Sequence, residues 1–252
     1  MNPEIEIVNI LMSRGNELLK QPYEEIVFTN NKDSDGLLNN LKDFPHAFVL
    51  ACLMDRQVKA ERAWSIPYEI FKEIGGFEFP KLLELSLENI VEIFSRKNLH
   101  RFNEKMAEIF FLGIKKIHNE YNDDASLIWK GNPRSATVVR KFLGFHGSGI
   151  KIATMAANIL VRDFKITMED HICIDISPDV HVKRVFQRLG FLSKNPKEYE
   201  LIYRARELNP LYPGIFDLSC WEIGRNLCKP KNPNCQECYL SHYCPKIVLS
   251  ED

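Results

Sequence analysis

The stretch FLGFHGSGIKIATMAANIL, residues 142–160, places Gly147 and Gly149 between two apolar segments of helical character. Glycine permits positive φ and close backbone approach, so the stretch predicts a helix, a tight hairpin and a second helix. The first turn of that second helix leaves unpaired N–H groups that suit an anion. An ordinary αα-hairpin without a ligand is the alternative interpretation. Residues 130–151 include no acid and five basic residues that would suit phosphate: Lys130, Arg134, Arg140, Lys141 and Lys151.

Helical patterning continues on both sides of this stretch. Residues 104–121 place five large apolar side chains on one stripe with helical spacing. Further helices are predicted to begin near Pro45 and Pro67 and to occupy much of 79–95, 180–190 and 195–210. The segment 26–31, IVFTNN, is the best candidate for a strand, whereas 30–40 and 163–179 are predicted to be loops. The predicted fold class is therefore all-α.

Length and composition limit the possible functions. The chain has 252 residues, 45% of them hydrophobic, which is enough for one substantial core or two modest lobes. A formal net charge of −1 excludes a polycation, so any nucleic-acid surface must be local. No apolar run is long enough to span a bilayer, and the acidic, mixed N-terminus does not read as a signal peptide. The seven cysteines suit a reducing compartment, so a cytoplasmic, nucleoid-associated protein without membrane contact is expected.

Four of the cysteines are grouped near the C-terminus with the spacing C-x6-C-x2-C-x5-C: Cys228, Cys235, Cys238 and Cys244. Such a sulfur-only set suits an iron–sulfur cluster or a structural zinc. Zinc ribbons usually carry two C-x2-C pairs and this loop carries one, which favours a [4Fe-4S] cluster. Four unlinked thiols would be the remaining alternative. The loop is rich in Pro, Asn and Lys and has little apolar surface to bury, so something else must order it.

Lys151 follows the hairpin in the first turn of an otherwise apolar helix. It could be a snorkelling or phosphate-contacting lysine, or a nucleophilic amine that is partly desolvated in a cleft. A carboxylate partner could be Asp179, which precedes another predicted helix and could equally serve only as its cap. Asp175 is a competing candidate that sequence spacing alone does not separate from Asp179.

Taken in order, these motifs resemble the helix-hairpin-helix DNA glycosylases of the endonuclease III class over most of the chain. The family hairpin L-P-G-V-G-x-K-T-A is matched by FHGSGIKIA at 145–153, with His146 in place of the proline. The family aspartate motif V-D-T-H-[VI]-x-R-V is matched by PDVHVKRV at 178–185, and G-R-x-x-C by GRNLC at 224–228. The resemblance assigns catalysis to Lys151 and Asp179 rather than Asp175, and iron–sulfur rather than zinc to the cysteines. The loop before Asp179 is longer than the family pattern.

The resemblance also implies an architecture of two helical lobes that flank a cleft. Residues 44–189 would form a six-helix, barrel-like domain that contains the helix-hairpin-helix. Residues 190–252 would supply C-terminal helices and the cluster loop. The N-terminal segment, 1–43, would pack with this C-terminal lobe.

By the same resemblance, the function would be a DNA repair glycosylase with AP lyase activity. It would excise a damaged base, oxidised pyrimidine first and 8-oxoguanine second, from duplex DNA through a lysine Schiff base. A mismatch-specific glycosylase, a non-catalytic iron–sulfur DNA-binding protein and a zinc-stabilised helical protein are the alternatives. The partner would be double-stranded DNA containing a damaged base, bound by a monomer. The predicted DNA contacts are His146, Gly147, Ser148 and Gly149 of the hairpin, Arg56 and Gln57 as a wedge, and Arg225, Lys229 and Lys231 near the cysteines.

Overall fold

The structure is a computed structural model that describes residues 2–248. The prediction of an all-α fold is confirmed, since no strand occurs among these residues and IVFTNN is irregular. No helix in the described range is long and apolar enough to cross a membrane. The α-helices are α1 Pro3–Lys20, α2 Lys32–Asn39, α3 Pro45–Met54, α4 Ala60–Trp64, α5 Ile66–Ile74, α6 Phe79–Leu83, α7 Leu87–Lys97, α8 Asn103–Tyr121, α9 Ser135–Leu143, α10 Ile150–Arg162, α11 Val180–Arg188, α12 Glu198–Leu208 and α13 Asp217–Glu222.

Shorter turns of helix join these elements. Three are 3₁₀ turns, at Ala125–Ile128, His171–Cys173 and Pro213–Phe216. A single π-helical turn, Ile223–Leu227, follows α13 and leads into the first of the four grouped cysteines. Single π turns of this kind often lie at functional sites.

The chain forms two compact units. One comprises Met1–Pro22, Arg134–Ala136 and Ala157–Asp252, and the other comprises Tyr23–Pro133 and Thr137–Ala156. The predicted boundaries at residues 43/44 and 189/190 do not coincide with these. Residues 23–43 belong with the second unit because α2 packs on α3 and α5, and Asn39 bonds both the N–H and the carbonyl of Ile26. The barrel-like form of the middle domain and the cleft stay predictions.

The second unit is built around α3, whose ten residues are all buried. A helix that is apolar on every side belongs in a core, and α3 packs against α8, α5, α4 and the 125–128 turn. Gly113 of α8 allows the closest approach, because a Cβ there would lie 2.8 Å from Leu50 and 3.1 Å from Leu53. The C-terminal end of α3 is consequently a fixed point in this unit.

The first unit is formed by α1, α11, α12 and α13 with the turns at 213–216 and 223–227. Helix α11 packs on α13 and on the π turn, and α1 packs on α13 and on the 213–216 turn. This arrangement places the helix that begins after Asp179 directly beside the segment that leads into the grouped cysteines.

The prediction of a loop over 30–40 is wrong, because α2 occupies Lys32–Asn39. Asn31 caps the helix by accepting a hydrogen bond from the N–H of Ser34 at 2.9 Å. Asp35, one turn on, accepts bonds from both the N–H and the hydroxyl of Thr29. Leu37 and Leu38 are buried. Two buried leucines and a cap therefore outweigh the low helix propensity of this Asn-, Asp- and Gly-rich segment.

Candidate functional site

The predicted hairpin lies between α9 and α10 and is held by aromatic packing. Phe145 is 2% exposed, and its ring stacks on Tyr121 with a centroid separation of 6.1 Å. The amine of Lys116 lies 5.5 Å from the centre of the same ring. The N–H of Ser148 closes the turn by donating to the carbonyl of Phe145 at 3.0 Å. The hairpin is thus held in place at Phe145 by contacts with Tyr121 and Lys116.

The two hairpin glycines have different roles. Gly147 has a φ of +80°, and a Cβ added there would lie 2.7 Å from Ile109. Gly149 has ordinary φ, is exposed, and has no atom within 4 Å of the place where its Cβ would be. Within residues 2–248, the buried hydroxyl of Ser148 has no hydrogen-bond partner. The hairpin therefore presents open backbone and an unpaired hydroxyl at the N-terminus of α10, where an anion is favoured.

Lys151, in the first turn of α10, forms an ion pair with Asp55. Its Nζ lies 2.6 Å from Oδ2 of Asp55 and 3.2 Å from the main-chain carbonyl of the same residue. The two side chains are 22% and 13% exposed, so the pair is largely but not wholly withdrawn from water. Asp55 is the C-cap of α3. The amine is therefore held at the fixed end of the buried core helix.

The residues after Asp55 also contact the hairpin. Arg56, predicted as part of a wedge, donates from Nη1 to the carbonyl of Gly147 at 3.2 Å, and its own carbonyl is bonded by Nε2 of His100 at 3.0 Å. Gln57 is exposed and has a φ of +55°. Such a backbone is uncommon outside glycine and often marks a functional position. The segment 55–57 is therefore bonded to the hairpin at Gly147 and to α10 at Lys151, and it presents Gln57 to solvent.

Asp179 lies in the first unit and is the N-cap of α11. Its Oδ1 accepts a hydrogen bond from the N–H of His181 at 2.8 Å. The capping role considered from the sequence is thus present, and the side chain is only partly exposed. Its competitor Asp175 forms a bidentate pair with Arg206, with both N–O distances at 2.7 Å. Asp175 therefore has a structural partner of its own.

The long loop that precedes Asp179 is tied down by a buried ion pair. The carboxylate of Asp217 accepts from the N–H of Ser177 at 2.8 Å and pairs with Arg162 at 3.3 Å. Burial raises the pKa of the Asp217 carboxyl, while the nearby Arg162 guanidinium and the Ser177 N–H lower it. Asn158 donates to the carbonyl of Asp175 at 3.0 Å. The 163–178 loop consequently has a defined path into α11.

The four grouped cysteines line one small cavity of about 30 Å³, together with apolar residues of α11 and the π turn. Within residues 2–248, no three His, Cys, Asp or Glu side chains form a group that could hold a metal ion. The four cysteines therefore line one cavity without forming such a group among the described residues. Burial raises the pKa of the Cys238 and Cys244 thiols, so binding of a metal group there would release protons. An all-cysteine donor set around an enclosed space fits an iron–sulfur cluster.

Two arginines of α11 hold the start of the cysteine loop. Arg184 donates to the carbonyls of Cys228 at 2.7 Å and Gly224 at 2.6 Å. Arg188 donates to the carbonyls of Lys229 and Pro230 at 2.6 and 2.8 Å and to the sulfur of Cys228 at 3.3 Å. Neither arginine was predicted as a site residue, because their partners lie 40 or more positions away in the sequence.

The basic residues predicted beside the cysteines differ in their surroundings. The guanidinium of Arg225 lies 4.8 Å from the centre of the Trp221 ring, a cation–π contact that orients it. Lys229 and Lys231 are exposed. Their predicted contact with phosphate stays a prediction, as do those of the hairpin residues, Arg56 and Gln57.

Known proteins resemble this chain both in sequence and in structure, although no family model matches it. Over 70 residues the sequence is 37% identical to Endonuclease III of Thermotoga maritima, a match that covers 27% of this chain and 32% of that protein. The fold is similar to that of a trapped endonuclease III–DNA covalent intermediate, with a TM-score of 0.64, 17% identity and 96% of each chain covered. The chain has the same fold as this endonuclease III and resembles it in sequence over about a quarter of its length.

Another known protein matches a stretch of comparable length. Adenine DNA glycosylase of Arabidopsis thaliana is 38% identical over 80 residues, which cover 29% of this chain and 12% of that protein. The sequence matches thus span a third or less of these relatives, whereas the structural match spans nearly the whole chain. The catalytic roles predicted for Lys151, which lies in the second unit, and for Asp179, which lies in the first, stay predictions.

Proposed function

We propose that this chain is a DNA glycosylase of base excision repair that also has AP lyase activity. The observation that carries the proposal is the amine of Lys151, partly exposed in the first turn of α10 beside an open hairpin. The similarity in fold and in part of the sequence to endonuclease III supports it, as does the partial similarity to an adenine DNA glycosylase. The substrate would be double-stranded DNA that contains a damaged base.

The hairpin would bind one phosphate of the damaged strand. Support comes from the unpaired hydroxyl of Ser148, the open face of Gly149 and the N-terminal N–H groups of α10. His146 is exposed beside them and would add a contact. Phosphate contacts position the protein without reading sequence, as repair at arbitrary sites requires. Arg225, Lys229 and Lys231 would contact the same strand near the cysteine loop.

Base removal requires the nucleotide to be extruded, because C1′ is inaccessible within the stacked duplex. Gln57, exposed with a left-handed backbone after α3, would fill the vacated space. Nζ of Lys151, once it has lost a proton, would attack C1′, forming an N–C bond while the bond from C1′ to the base breaks. The electron pair leaves with the base, which is then protonated by water. Cleavage of the C1′–O4′ bond, with O4′ taking up a proton, would then open the sugar ring and leave a Schiff base between Nζ and C1′. Loss of a C2′ proton from this Schiff base would expel the 3′ phosphate by β-elimination.

Asp179 would stabilise the positive charge that develops on the sugar ring as the base departs. Support comes from its position: a carboxylate at the N-cap of α11, with one oxygen fixed by the N–H of His181. Asp175 is unsuited to this role because both of its carboxylate oxygens bind Arg206.

We further propose a [4Fe-4S] cluster on Cys228, Cys235, Cys238 and Cys244. Support comes from the single C-x2-C pair of this loop, since zinc ribbons usually carry two such pairs, and from the one cavity that all four cysteines line. When bound, the cluster would order the loop that carries Lys229 and Lys231. It would take no part in bond making.

The substrate preference is proposed as oxidised pyrimidine first and 8-oxoguanine second. The similarity to an adenine DNA glycosylase adds adenine opposite 8-oxoguanine to the bases that must be tested. A monomeric state and a cytoplasmic, nucleoid-associated location stay predictions.

The decisive experiment is an excision assay on duplexes that each carry one lesion, combined with borohydride trapping of the protein on DNA. Wild-type protein is expected to form a covalent adduct, and Lys151→Ala to form none. Lys42→Ala removes an exposed lysine of the same unit and is the matched control. Asp179→Asn is expected to bind DNA but not to excise. An adduct in Lys151→Ala, or full excision by Asp179→Asn, would contradict these roles.

The same purified protein also distinguishes the alternative functions from the proposed one. A non-catalytic iron–sulfur DNA-binding protein would bind the duplexes and excise no lesion. A zinc-stabilised protein would be colourless and contain zinc. The proposed cluster predicts a brown sample that contains about four iron atoms per chain.

A further inference from the structure

We propose that Asp55 positions the Lys151 amine and accepts the proton that this amine must lose before it reacts. The inference rests on the proposed function and extends it, because the resemblance to endonuclease III assigned the chemistry to Lys151 and Asp179 alone. Asp55 lies 96 positions before Lys151, and nothing in the sequence around it distinguishes it as a site residue.

The contact is specific. Nζ of Lys151 meets two oxygens of Asp55, the carboxylate Oδ2 at 2.6 Å and the main-chain carbonyl at 3.2 Å. Two acceptors from one residue define the direction of the amine as well as its distance. The side chain of Asp55 is 13% exposed and that of Lys151 is 22% exposed, so the pair is not wholly withdrawn from solvent.

Asp55 is held in place by a fully buried helix. It is the C-cap of α3, and all ten residues of that helix are buried. The next residue, Arg56, is bonded to the hairpin carbonyl of Gly147 and to His100. Cys52, in the last turn of α3, is fully buried. Its burial, and to a smaller extent the charge of nearby Asp55, raise the pKa of its thiol. A neutral thiol does not compete with Asp55 for the ammonium.

The chemistry requires a base at this place. An ammonium has no lone pair, so Nζ can form a bond to carbon only after one N–H proton has left. The Oδ2 atom of Asp55 is within hydrogen-bond distance of that proton and accepts it without an intervening water. At an abasic site the neutral amine adds to the C1′ aldehyde carbon, water leaves, and an imine remains. Asp55, then protonated, returns its proton to water.

The test uses an abasic-site duplex and borohydride trapping, which requires no base removal. Asp55→Asn keeps the shape and one acceptor oxygen but cannot take a proton. It is expected to lower the trapping rate about 100-fold, within the range for loss of a general base, with DNA affinity unchanged. Asp55→Glu keeps a carboxylate and is expected to retain about a tenth of the rate or more. Asp43→Asn, an exposed acid of the same unit, is the matched control.

Three outcomes would overturn the inference. One is trapping by Asp55→Asn at the wild-type rate, and another is an equal loss in the Asn and Glu variants. The third is a loss of rate that parallels a loss of DNA affinity. Failure of the proposed function is a different result, namely no lesion excised by the wild-type protein. If trapping on the abasic duplex still depended on Asp55, it would support the Asp55–Lys151 pair even in that case.

Discussion

Gly224, the first residue of the GRNLC motif, lies directly against the backbone of His181 in α11. A Cβ added at Gly224 would be 2.7 Å from the Cβ of His181 and 2.8 Å from its carbonyl oxygen. The carbonyl of Gly224 also accepts a bond from Arg184. The π turn before the cysteines and the helix capped by Asp179 can approach this closely only because position 224 has no side chain.

Gly224→Ala is therefore expected to lower the free energy of unfolding by about 1–3 kcal/mol and to reduce the iron content of the purified protein. The methyl group would push α11 from the π turn. Chemical denaturation and iron analysis measure the two effects. Gly36→Ala is the matched control: its Cβ would meet nothing within 4 Å on the exposed face of α2, so it is expected to be neutral or stabilising. Equal effects of the two substitutions would contradict this explanation.

The two hairpin glycines give an internal comparison. Gly147→Ala is expected to destabilise the protein by more than about 1 kcal/mol and to weaken DNA binding, because φ is +80° and Ile109 occupies the space. Gly149→Ala meets no atom and is expected to keep the stability of the wild type. Thermal unfolding and a fluorescence binding assay on an abasic-analogue duplex distinguish them. A stable, tightly binding Gly147→Ala variant would show that the positive φ is not needed.

Arg188 provides a test of the cysteine loop that leaves the cysteines in place. Its guanidinium donates to two carbonyls and one sulfur between residues 228 and 230. Arg188→Ala is expected to lower iron content and to speed the loss of colour under air. Lys194→Ala, which removes an exposed cation of the same unit, should leave both unchanged. Normal iron content and colour stability in Arg188→Ala would mean that the loop is ordered without these bonds.

The lowered pKa of His46 makes the stability of the protein depend on pH. It is 2% exposed, and its Nε2 lies 2.6 Å from the carbonyl of Phe77. Burial lowers the pKa of His46 from 6.5 to about 4. Between these pH values the unfolded state binds a proton that the folded state does not, so stability falls as pH falls. The loss attributable to His46 is about 3 kcal/mol between pH 6.5 and pH 4.

Denaturation curves across this pH range test the assignment. His46→Gln removes the titrating group, so its stability should depend less steeply on pH than that of the wild type. His242→Gln replaces an exposed histidine and should retain the wild-type slope. Parallel pH profiles for wild type and His46→Gln would exclude His46 as the cause.

Sequence patterns identified the helical fold and the hairpin because both depend on local signals. Helix α9 occupies 135–143, as its sequence predicts, and the hairpin follows at the glycines. The four cysteines line one cavity, and the metal site predicted for them stays a prediction. The helix over 32–39 was missed because Asn, Asp and Gly favour loops, and its burial depends on contacts with α3 and α5.

The contacts that complete the site are long-range, and spacing along the chain does not reveal them. Asp55 meets Lys151 across 96 positions, and Arg188 meets the cysteine loop across 40 to 42. A charged residue at the end of a helix is ordinarily a solvated cap, so neither position carries a distinguishing pattern of its own. Only tertiary packing decides which of the chain's many charges meet.

Helix α11 begins at the carboxylate of Asp179 and ends at Arg188, whose guanidinium is bonded to the cysteine loop. Nine residues of helix span about 14 Å, so the proposed cluster would lie at one end of this helix and the proposed charge-stabilising carboxylate at the other. Loss of the cluster would then be expected to release one end of the helix and displace the other. The proposed cofactor would in this way affect the rate of the proposed base excision without making or breaking a bond in the substrate.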